Sequence, residues 1–231
     1  MKKNMDDLNG KRGFSLKLSI NTILILITVL LFFVFSLLLK FNVLTIDSIA
    51  IKPANILEGK YFWTFLTSIF MHGGFFHLFV NMFSLFFIGT LLQKILGQKR
   101  YLYFYLISGL FAGLFFVGLT FLTKDFSWAD SLVGSVDSFA VGASGALFGL
   151  IGLMMFLTPN LPVYIMFIPI PIKMKYAAPG MLIVLWLISV AGNIPIGNTA
   201  HLGGLIAGLI YGIYLRNRYK NKVRAINKFF R

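Results

Sequence analysis

The 231-residue chain has no cysteine and few acidic residues, and both absences narrow its chemistry. Without cysteine, disulfide bonds and cysteine-based metal sites are excluded. All charged residues together make up only 12% of the chain, whereas hydrophobic residues reach 58%. This balance exceeds what a soluble core of the same length needs. The composition therefore predicts one integral membrane domain in a lipid bilayer.

The formal net charge is +14, but the basic residues cluster beside the apolar runs instead of covering one face. A nucleic-acid partner is therefore not expected. Such clusters are typical of topology signals, and a basic tail is also able to contact anionic lipid head groups.

The apolar runs predict an all-α membrane protein, a bundle of six transmembrane helices. An amphipathic outer loop that contains Phe62 and Trp63 connects the first two helices and is expected to lie at the membrane interface. Residues 159–172 are apolar but contain four prolines, so we expect an interfacial loop there and no continuous helix. The predicted spans are 18–39, 74–93, 101–123, 143–158, 177–193 and 200–215.

The basic residues also predict an orientation. Six spans place both termini on one side, and most of the 21 basic residues then fall on that side, which the positive-inside rule makes cytoplasmic. We expect residues 1–17 to be a cytoplasmic basic segment, 18–215 the membrane domain and 216–231 a cytoplasmic basic tail. No small-residue cleavage site follows the first span, which is therefore interpreted as a retained helix.

The fourth predicted span is short. From Gly142 to Thr158 it is roughly 25 Å long as a helix, against about 30 Å of hydrocarbon. If it ends at the cytoplasmic interface before Pro159, its first turn, with Ser144, lies below the outer surface. Non-helical backbone at that depth needs protein or water around it. The sequence thus predicts a cavity that opens outward, with Ser144 at its floor.

All three histidines, His72, His77 and His201, lie at or near the outer ends of predicted spans. Ionisable groups there are costly enough to be functional candidates. His77 and Asn81 are four residues apart and share a helix face, although hydrogen bonding between helices explains them equally well. A metal site built from the three histidines is a further alternative, but it leaves Asn81 and Ser144 without a role.

Small residues line one face of the fourth span and one face of the sixth. Small residues spaced by four usually serve helix packing, so this pattern alone indicates packing more often than catalysis. If the two faces meet, His201 approaches Ser144. The small residues are Gly142, Gly145, Gly149 and Gly152 at the fourth span, and Gly204, Gly208 and Gly212 on the sixth.

An approach of His201 to Ser144 is what a serine hydrolase needs, because an imidazole must take the proton of the hydroxyl. The acidic residues of the loops lie outside the spans, so a serine–histidine dyad is the form that this sequence offers unless an outer aspartate dips inward. The Ser144 backbone N–H and the side chains of His77 and Asn81 are candidate donors to an oxyanion.

These motifs, in this order on the second, fourth and sixth spans, resemble the rhomboid family of intramembrane serine proteases over roughly residues 60–215. The resemblance implies cleavage of other transmembrane proteins in or near their spans by a Ser144–His201 dyad, without metal, cofactor or obligate protein partner. It also implies that His77 and Asn81 bind the oxyanion, and it matches the minimal six-helix form found in bacterial plasma membranes.

Two further residues match the family. His72 occupies a position that supports the outer loop, and Phe148 occupies one where an aromatic ring packs on the histidine. One departure is visible: many members have a Trp-Arg pair before the second span, but Thr64 follows Trp63 here. Glu58 is therefore expected to have a partner other than that arginine.

Two rival functions remain open. A rhomboid-like pseudoprotease would bind membrane proteins without cleaving them, although such proteins typically lose the nucleophile or the base. A small transporter or channel would use the polar residues as a permeation path, but they lie near one side of the membrane and no internal repeat is visible.

Overall fold

The computed structural model describes residues 18–126, 128–165, 169–192 and 197–228. The predicted segment 1–17 and the last three residues of the predicted tail lie outside the described residues. The regular secondary structure of the described residues is helical apart from one pair of short strands. The helices are α1 (Ile20–Lys40), α2 (Pro53–Leu57), α3 (Thr64–Phe70), α4 (Phe75–Ser84), α5 (Thr90–Leu96), α6 (Gln98–Thr123), α7 (Ala129–Leu132), α8 (Ser144–Leu157), α9 (Met174–Gly192), α10 (Asn198–Arg218) and α11 (Lys220–Lys228).

Four helical stretches are long and apolar enough to cross a membrane: Ile20–Lys40, Phe75–Leu96, Gln98–Thr123 and Met174–Gly192. The other two predicted spans are α8, an apolar helix of 14 residues, and α10, a helix of 21 residues. The predicted all-α membrane fold is confirmed. The last span is longer than predicted: α10 begins at Asn198 and continues to Arg218, because the basic residues Arg216 and Arg218 end the apolar run but not the helix.

The short helix α8 is buried on nearly every side, between α6 and α10. Glycine permits this closeness: a Cβ atom on Gly204 would overlap the carbonyl oxygen of Gly145, and one on Gly208 would overlap that of Gly149. A helix that is apolar all round is expected at the centre of a bundle. The first turn of α8 is therefore surrounded by protein, which allows it to begin inside the membrane domain.

The outer loop between α1 and α4 is attached to the segment that leads into α8. Ile51 and Ala140 exchange two backbone hydrogen bonds of 3.1 and 2.8 Å, and the Gly142 amide donates to the Ser68 carbonyl at 2.8 Å. The indole of Trp63 donates to the Ser48 carbonyl at 2.9 Å. The backbone before Ser144 is thus held by hydrogen bonds to the loop.

The loop also shows the surroundings of Thr64, the position at which many family members have arginine. Glu58 pairs with Lys60 at 2.8 Å, both at the surface. Thr64 is buried at the start of α3, and its hydroxyl donates to the Tyr61 carbonyl at 2.7 Å. The expectation of a different partner for Glu58 is confirmed.

The second span contains a feature that the sequence did not predict. A π-helical segment, Leu85–Gly89, separates α4 from α5. The Asn21 amide of α1 donates to the Leu85 carbonyl at 3.0 Å and to the Thr90 hydroxyl at 3.1 Å, and the Tyr101 hydroxyl donates to the Asn21 oxygen at 2.5 Å. Gly89 leaves room for this buried cluster, because a Cβ there would overlap the Asn21 oxygen.

Within the predicted interfacial loop 159–172, the described residues form no helix. Two short strands pair there in antiparallel register, β1 (Pro162–Val163) and β2 (Ile172–Lys173). The Lys175 amide donates to the Pro159 carbonyl at 3.1 Å, which brings the end of α8 next to the start of α9. The strand pair is an addition to the prediction, since two-residue strands carry too few side chains to show a pattern.

Candidate active site

Ser144 is the first residue of α8 and is partly exposed. The preceding Gly142 has φ +117°, a conformation that side chains rarely adopt, and it turns the chain into the helix. The Ala143 carbonyl accepts the first helical hydrogen bond from Leu147 at 2.9 Å. Because the first N–H groups of a helix have no partner within it, the Ser144 amide is available to an incoming group.

His201 lies in the first turn of α10 and faces Ser144. Its Nε2 is 2.8 Å from the Ser144 Oγ, a hydrogen-bond distance. The ring is 6% exposed and stacks on Phe148, with 4.6 Å between ring centroids and 20° between planes. Phe148 is one turn after Ser144 on the same helix face, so it fixes the plane of the imidazole that meets the hydroxyl.

The other ring nitrogen of His201, Nδ1, is buried and has no hydrogen-bond partner among the described residues. If Nε2 accepts the hydroxyl proton of Ser144, Nδ1 carries the ring hydrogen. No carboxylate in the described ranges contacts this ring, and three loop carboxylates have partners elsewhere: Asp47 with Asn55, Glu58 with Lys60, and Asp137 with Lys52. The arrangement is a pair and not a triad.

His77, in the first turn of α4, lies against the turn before Ser144. A Cβ on Gly142 would be 2.8 Å from its Cε1, 2.9 Å from its Nε2 and 3.7 Å from the Ser144 Oγ. The Gly73 amide donates to its Nδ1 at 3.4 Å. A neutral ring with an accepting Nδ1 has its hydrogen on Nε2, the nitrogen that lies against Gly142.

Asn81 is 3% exposed and follows His77 by one turn. Its amide nitrogen donates to the His77 carbonyl at 2.8 Å, and its oxygen is buried without a partner within the described part of the chain. One hydrogen of the amide is thus donated within α4, and the second remains for another acceptor. The predicted role of Asn81 stays a prediction.

His72 bridges the outer loop and the start of α8. Its Nδ1 is 3.3 Å from the Phe70 carbonyl, and the Ala143 amide donates to its Nε2 at 3.3 Å. Burial, and to a smaller extent the nearby imidazole of His77, lower the pKa of His72 to about 4. The neutral ring thus holds the residue before Ser144, a link that sequence spacing does not encode.

Four of the six ring nitrogens of the three histidines have other partners, which weakens the alternative of a shared metal site. Both nitrogens of His72 contact backbone groups, and His201 uses Nε2 for Ser144. Within the described ranges no group of three or more His, Asp or Glu side chains is arranged to hold a metal ion.

Sequence reasoning missed Ser68, whose carbonyl accepts from Gly142 at 2.8 Å. This contact uses only the backbone, so no residue type could have revealed it. It fixes the turn before the helix together with His72.

Fold and site together define a class of protein: a multi-pass, all-α membrane protein with a hydrogen-bonded serine–histidine pair at the start of a short, buried helix. A family model of the rhomboid domain matches residues 59–218. The chain belongs to the rhomboid family.

Several curated proteins are similar to this chain. "RHOMBOID-like protein 1" of Arabidopsis thaliana is 35% identical over 173 residues, which cover 73% of this chain and 39% of that protein. "Putative rhomboid protease YdcA" of Bacillus subtilis (strain 168) is 32% identical over 136 residues, 59% of this chain and 61% of that protein. "Inactive RHOMBOID-like protein 8" of Arabidopsis thaliana is 31% identical over 155 residues, 66% of this chain and 38% of that protein.

The chain therefore spans between 38% and 61% of the length of these three relatives. One of them is named a protease and another is named inactive. Membership in the family does not decide activity, which must be argued from the residues of this chain.

Proposed function

We propose that the protein is an intramembrane serine endopeptidase that cleaves transmembrane proteins in or near their membrane spans. The observation that carries this proposal is the 2.8 Å contact between the Ser144 hydroxyl and His201 Nε2. A nucleophile and a base in hydrogen-bond contact are the minimum for acyl transfer to serine. Both groups sit in the membrane domain, so the substrate they meet is itself embedded in the bilayer.

The reaction follows from these two groups. Ser144 Oγ attacks the scissile carbonyl while His201 Nε2 takes its proton, and the same nitrogen returns the proton to the leaving amine. Water then attacks the acyl ester on Ser144, with His201 again as base, and the carboxylic acid leaves. Stacking on Phe148 keeps the imidazole in place through both halves.

The tetrahedral intermediates need hydrogen-bond donors. The Ser144 backbone N–H and the Nε2–H of His77 are the candidates that lie beside the hydroxyl. The Asn81 amide is a third candidate, through the hydrogen that it does not donate to the His77 carbonyl. The proposed donors are all neutral, so they act without placing a net charge in the membrane domain.

The proposed substrates are transmembrane proteins with small or helix-breaking residues near the outer end of a span. A helix occupies its carbonyls with internal hydrogen bonds and must open before Ser144 can attack. The proposed orientation has both termini in the cytoplasm, because of the distribution of lysine and arginine. The proposed location in a bacterial plasma membrane rests on the resemblance to the minimal six-helix form.

The deciding experiment uses the purified protein, a model single-pass substrate and an activated serine-hydrolase probe. Ser144→Ala and His201→Ala should each abolish cleavage while the protein stays folded, and the double variant should be hardly worse, because the two residues act as one unit. Ser131→Ala is the matched control: this serine is exposed on α7, between α6 and α8, and donates to the Trp128 carbonyl. Substantial turnover by Ser144→Ala would refute the mechanism. Absence of both labelling and cleavage in the folded wild type would favour a non-catalytic binding protein.

A further inference from the structure

A second concave site lies far from Ser144, between α6 and α10. It is a groove of about 630 Å³ on the surface of the bundle. Its rims are apolar and exposed, with Ile107 at 60% and Ile210 at 59% exposure, and Ala207 is among the residues between them. In a membrane protein such a surface faces hydrocarbon.

Aromatic rings make one wall of this groove rigid. Phe104 stacks on Tyr211 with 4.8 Å between centroids, and Tyr211 lies nearly parallel to Tyr214 at 6.1 Å. Phe104 is itself buried in the core. The groove is thus formed before a ligand arrives, so little conformational entropy is lost on binding.

The groove has one polar end. Arg100 is the single charged residue among those that line it, and Tyr103 and Tyr214 add phenol groups at the same end. The ion pairs of the described residues are formed by Lys52 and Lys60, so the guanidinium of Arg100 has no carboxylate partner there. An arginine between tyrosines, beside apolar surface, fits a phosphate group at a membrane interface.

The length of the groove decides between possible occupants. From Arg100 to Phe111 it runs roughly 17 Å along α6, about half of the hydrocarbon thickness. A transmembrane helix, from a substrate or from a second copy, would need a surface about 30 Å long. The length of the groove therefore matches the thickness of one leaflet. Its polar end lies opposite the active site, because His201 is in the first turn of α10 and Tyr214 is near its end.

We propose that this groove binds one anionic phospholipid from the leaflet opposite Ser144. The phosphate lies at Arg100, with the hydroxyls of Tyr103 and Tyr214 as hydrogen-bond donors. One acyl chain follows Ile107, Ala207 and Ile210 towards the middle of the membrane. The bound lipid joins α6 to α10 and so stabilises the bundle that carries His201.

The test compares lipids on the purified full chain in neutral detergent, by native mass spectrometry and thermal unfolding. Phosphatidylglycerol should remain bound as one molecule per chain and raise the melting temperature more than phosphatidylcholine, whereas inorganic phosphate alone should not. Arg100→Gln should lower the preference for phosphatidylglycerol about fivefold, which corresponds to about 1 kcal/mol for one basic residue. Ala207→Phe should fill the groove and release both lipids.

Lys99→Gln is the matched control, since Lys99 is exposed, adjacent and absent from the lining of the groove. It should retain the preference. Equal losses in Lys99→Gln and Arg100→Gln would show a diffuse basic surface and overturn the site. A lipid-free dimer that Ala207→Phe disrupts would instead assign the groove to a second copy of the chain.

Discussion

At the residue scale, the placement of Ser144 depends on groups that precede it. His72 holds the Ala143 amide, Ser68 holds the Gly142 amide, and the ring of His77 occupies the space where Gly142 lacks a side chain. These three contacts come from the outer loop and the start of α4. The loop therefore belongs to the framework of the site, although none of its carboxylates reaches His201.

The pH dependence of stability should reveal the neutral state of His72. Its pKa of about 4 in the folded protein is below the ordinary 6.5, so the unfolded chain binds the proton first. Stability then falls as pH drops from about 6.5 towards 4, by up to about 1.4 kcal/mol per pH unit, and is unaffected by His72 above that interval. We expect the melting temperature of the wild type to fall more steeply from pH 7 to pH 5 than that of His72→Gln.

Glutamine at position 72 retains an acceptor for the Ala143 amide but does not titrate. Comparing the two curves removes the contribution of the other histidines, which both proteins share. Parallel curves would mean that His72 is not buried in the neutral form.

Asn81→Ala separates a catalytic from a packing role. If the amide donates to the oxyanion, its loss should lower turnover by up to about 10²–10³ and leave labelling of Ser144 by a fast probe partly intact, because two donors remain. If Asn81 only supports its helix, the melting temperature should fall while turnover per folded molecule stays normal. The control is Ser84→Ala, because Ser84 lies about one turn after Asn81 on α4 and is also partly buried.

Individual residues were predictable from the sequence to different degrees. The resemblance paired Phe148 with the histidine, and the two rings are stacked. The sequence offered no sign that His72 reaches Ala143, because the two are 71 positions apart and two membrane spans lie between them. A bond of this kind depends on the loop path, which local spacing does not determine.

At the element scale, α8 and α10 approach as closely as backbones allow. Spacing alone indicated a glycine-lined face on each helix and left open whether the two faces meet; in the structure the glycines of the two helices are in contact. The π segment Leu85–Gly89 had no such signal. Its partner Asn21 is 64 residues away from Leu85, and nothing in the sequence near Asn21 points to that segment.

Gly204→Ala should therefore separate the serine from its base. The added methyl group would overlap the Gly145 carbonyl, one residue after Ser144, so α10 must move away. We expect cleavage and probe labelling to fall together, with a lower melting temperature. Overpacking typically costs about 1–3 kcal/mol.

Gly180→Ala in α9 provides the comparison, because a Cβ there meets nothing within 4 Å. It should leave activity and melting temperature close to those of the wild type. If Gly204→Ala were equally silent, close packing of the two helices would not be what positions His201.

At the scale of the whole molecule, the two ends of the bundle differ in chemistry. One end carries Ser144, His201 and the outer loop. At the other end, the start of α1 meets the end of α5, where the backbone N–H of Asn21 donates to the side-chain oxygen of Gln93 at 2.7 Å. The basic groups of that end lie at Lys94, Lys99, Arg100, Lys173, Lys175 and along α11, whose residue Val223 is buried against the bundle.

This division predicts the orientation, and the absence of cysteine makes it measurable without background. Ser131→Cys places a thiol at an exposed position of α7, between α6 and α8, and Ala225→Cys places one on the exposed side of α11. Because lysine and arginine stay on the cytoplasmic side, a membrane-impermeant maleimide should label Ser131→Cys in intact cells and Ala225→Cys only after permeabilisation. The cysteine-free parent shows the background, and both variants should retain cleavage activity, since neither residue touches the serine–histidine pair. Labelling of Ala225→Cys in intact cells with protection of Ser131→Cys would invert the topology and place the active site towards the cytoplasm.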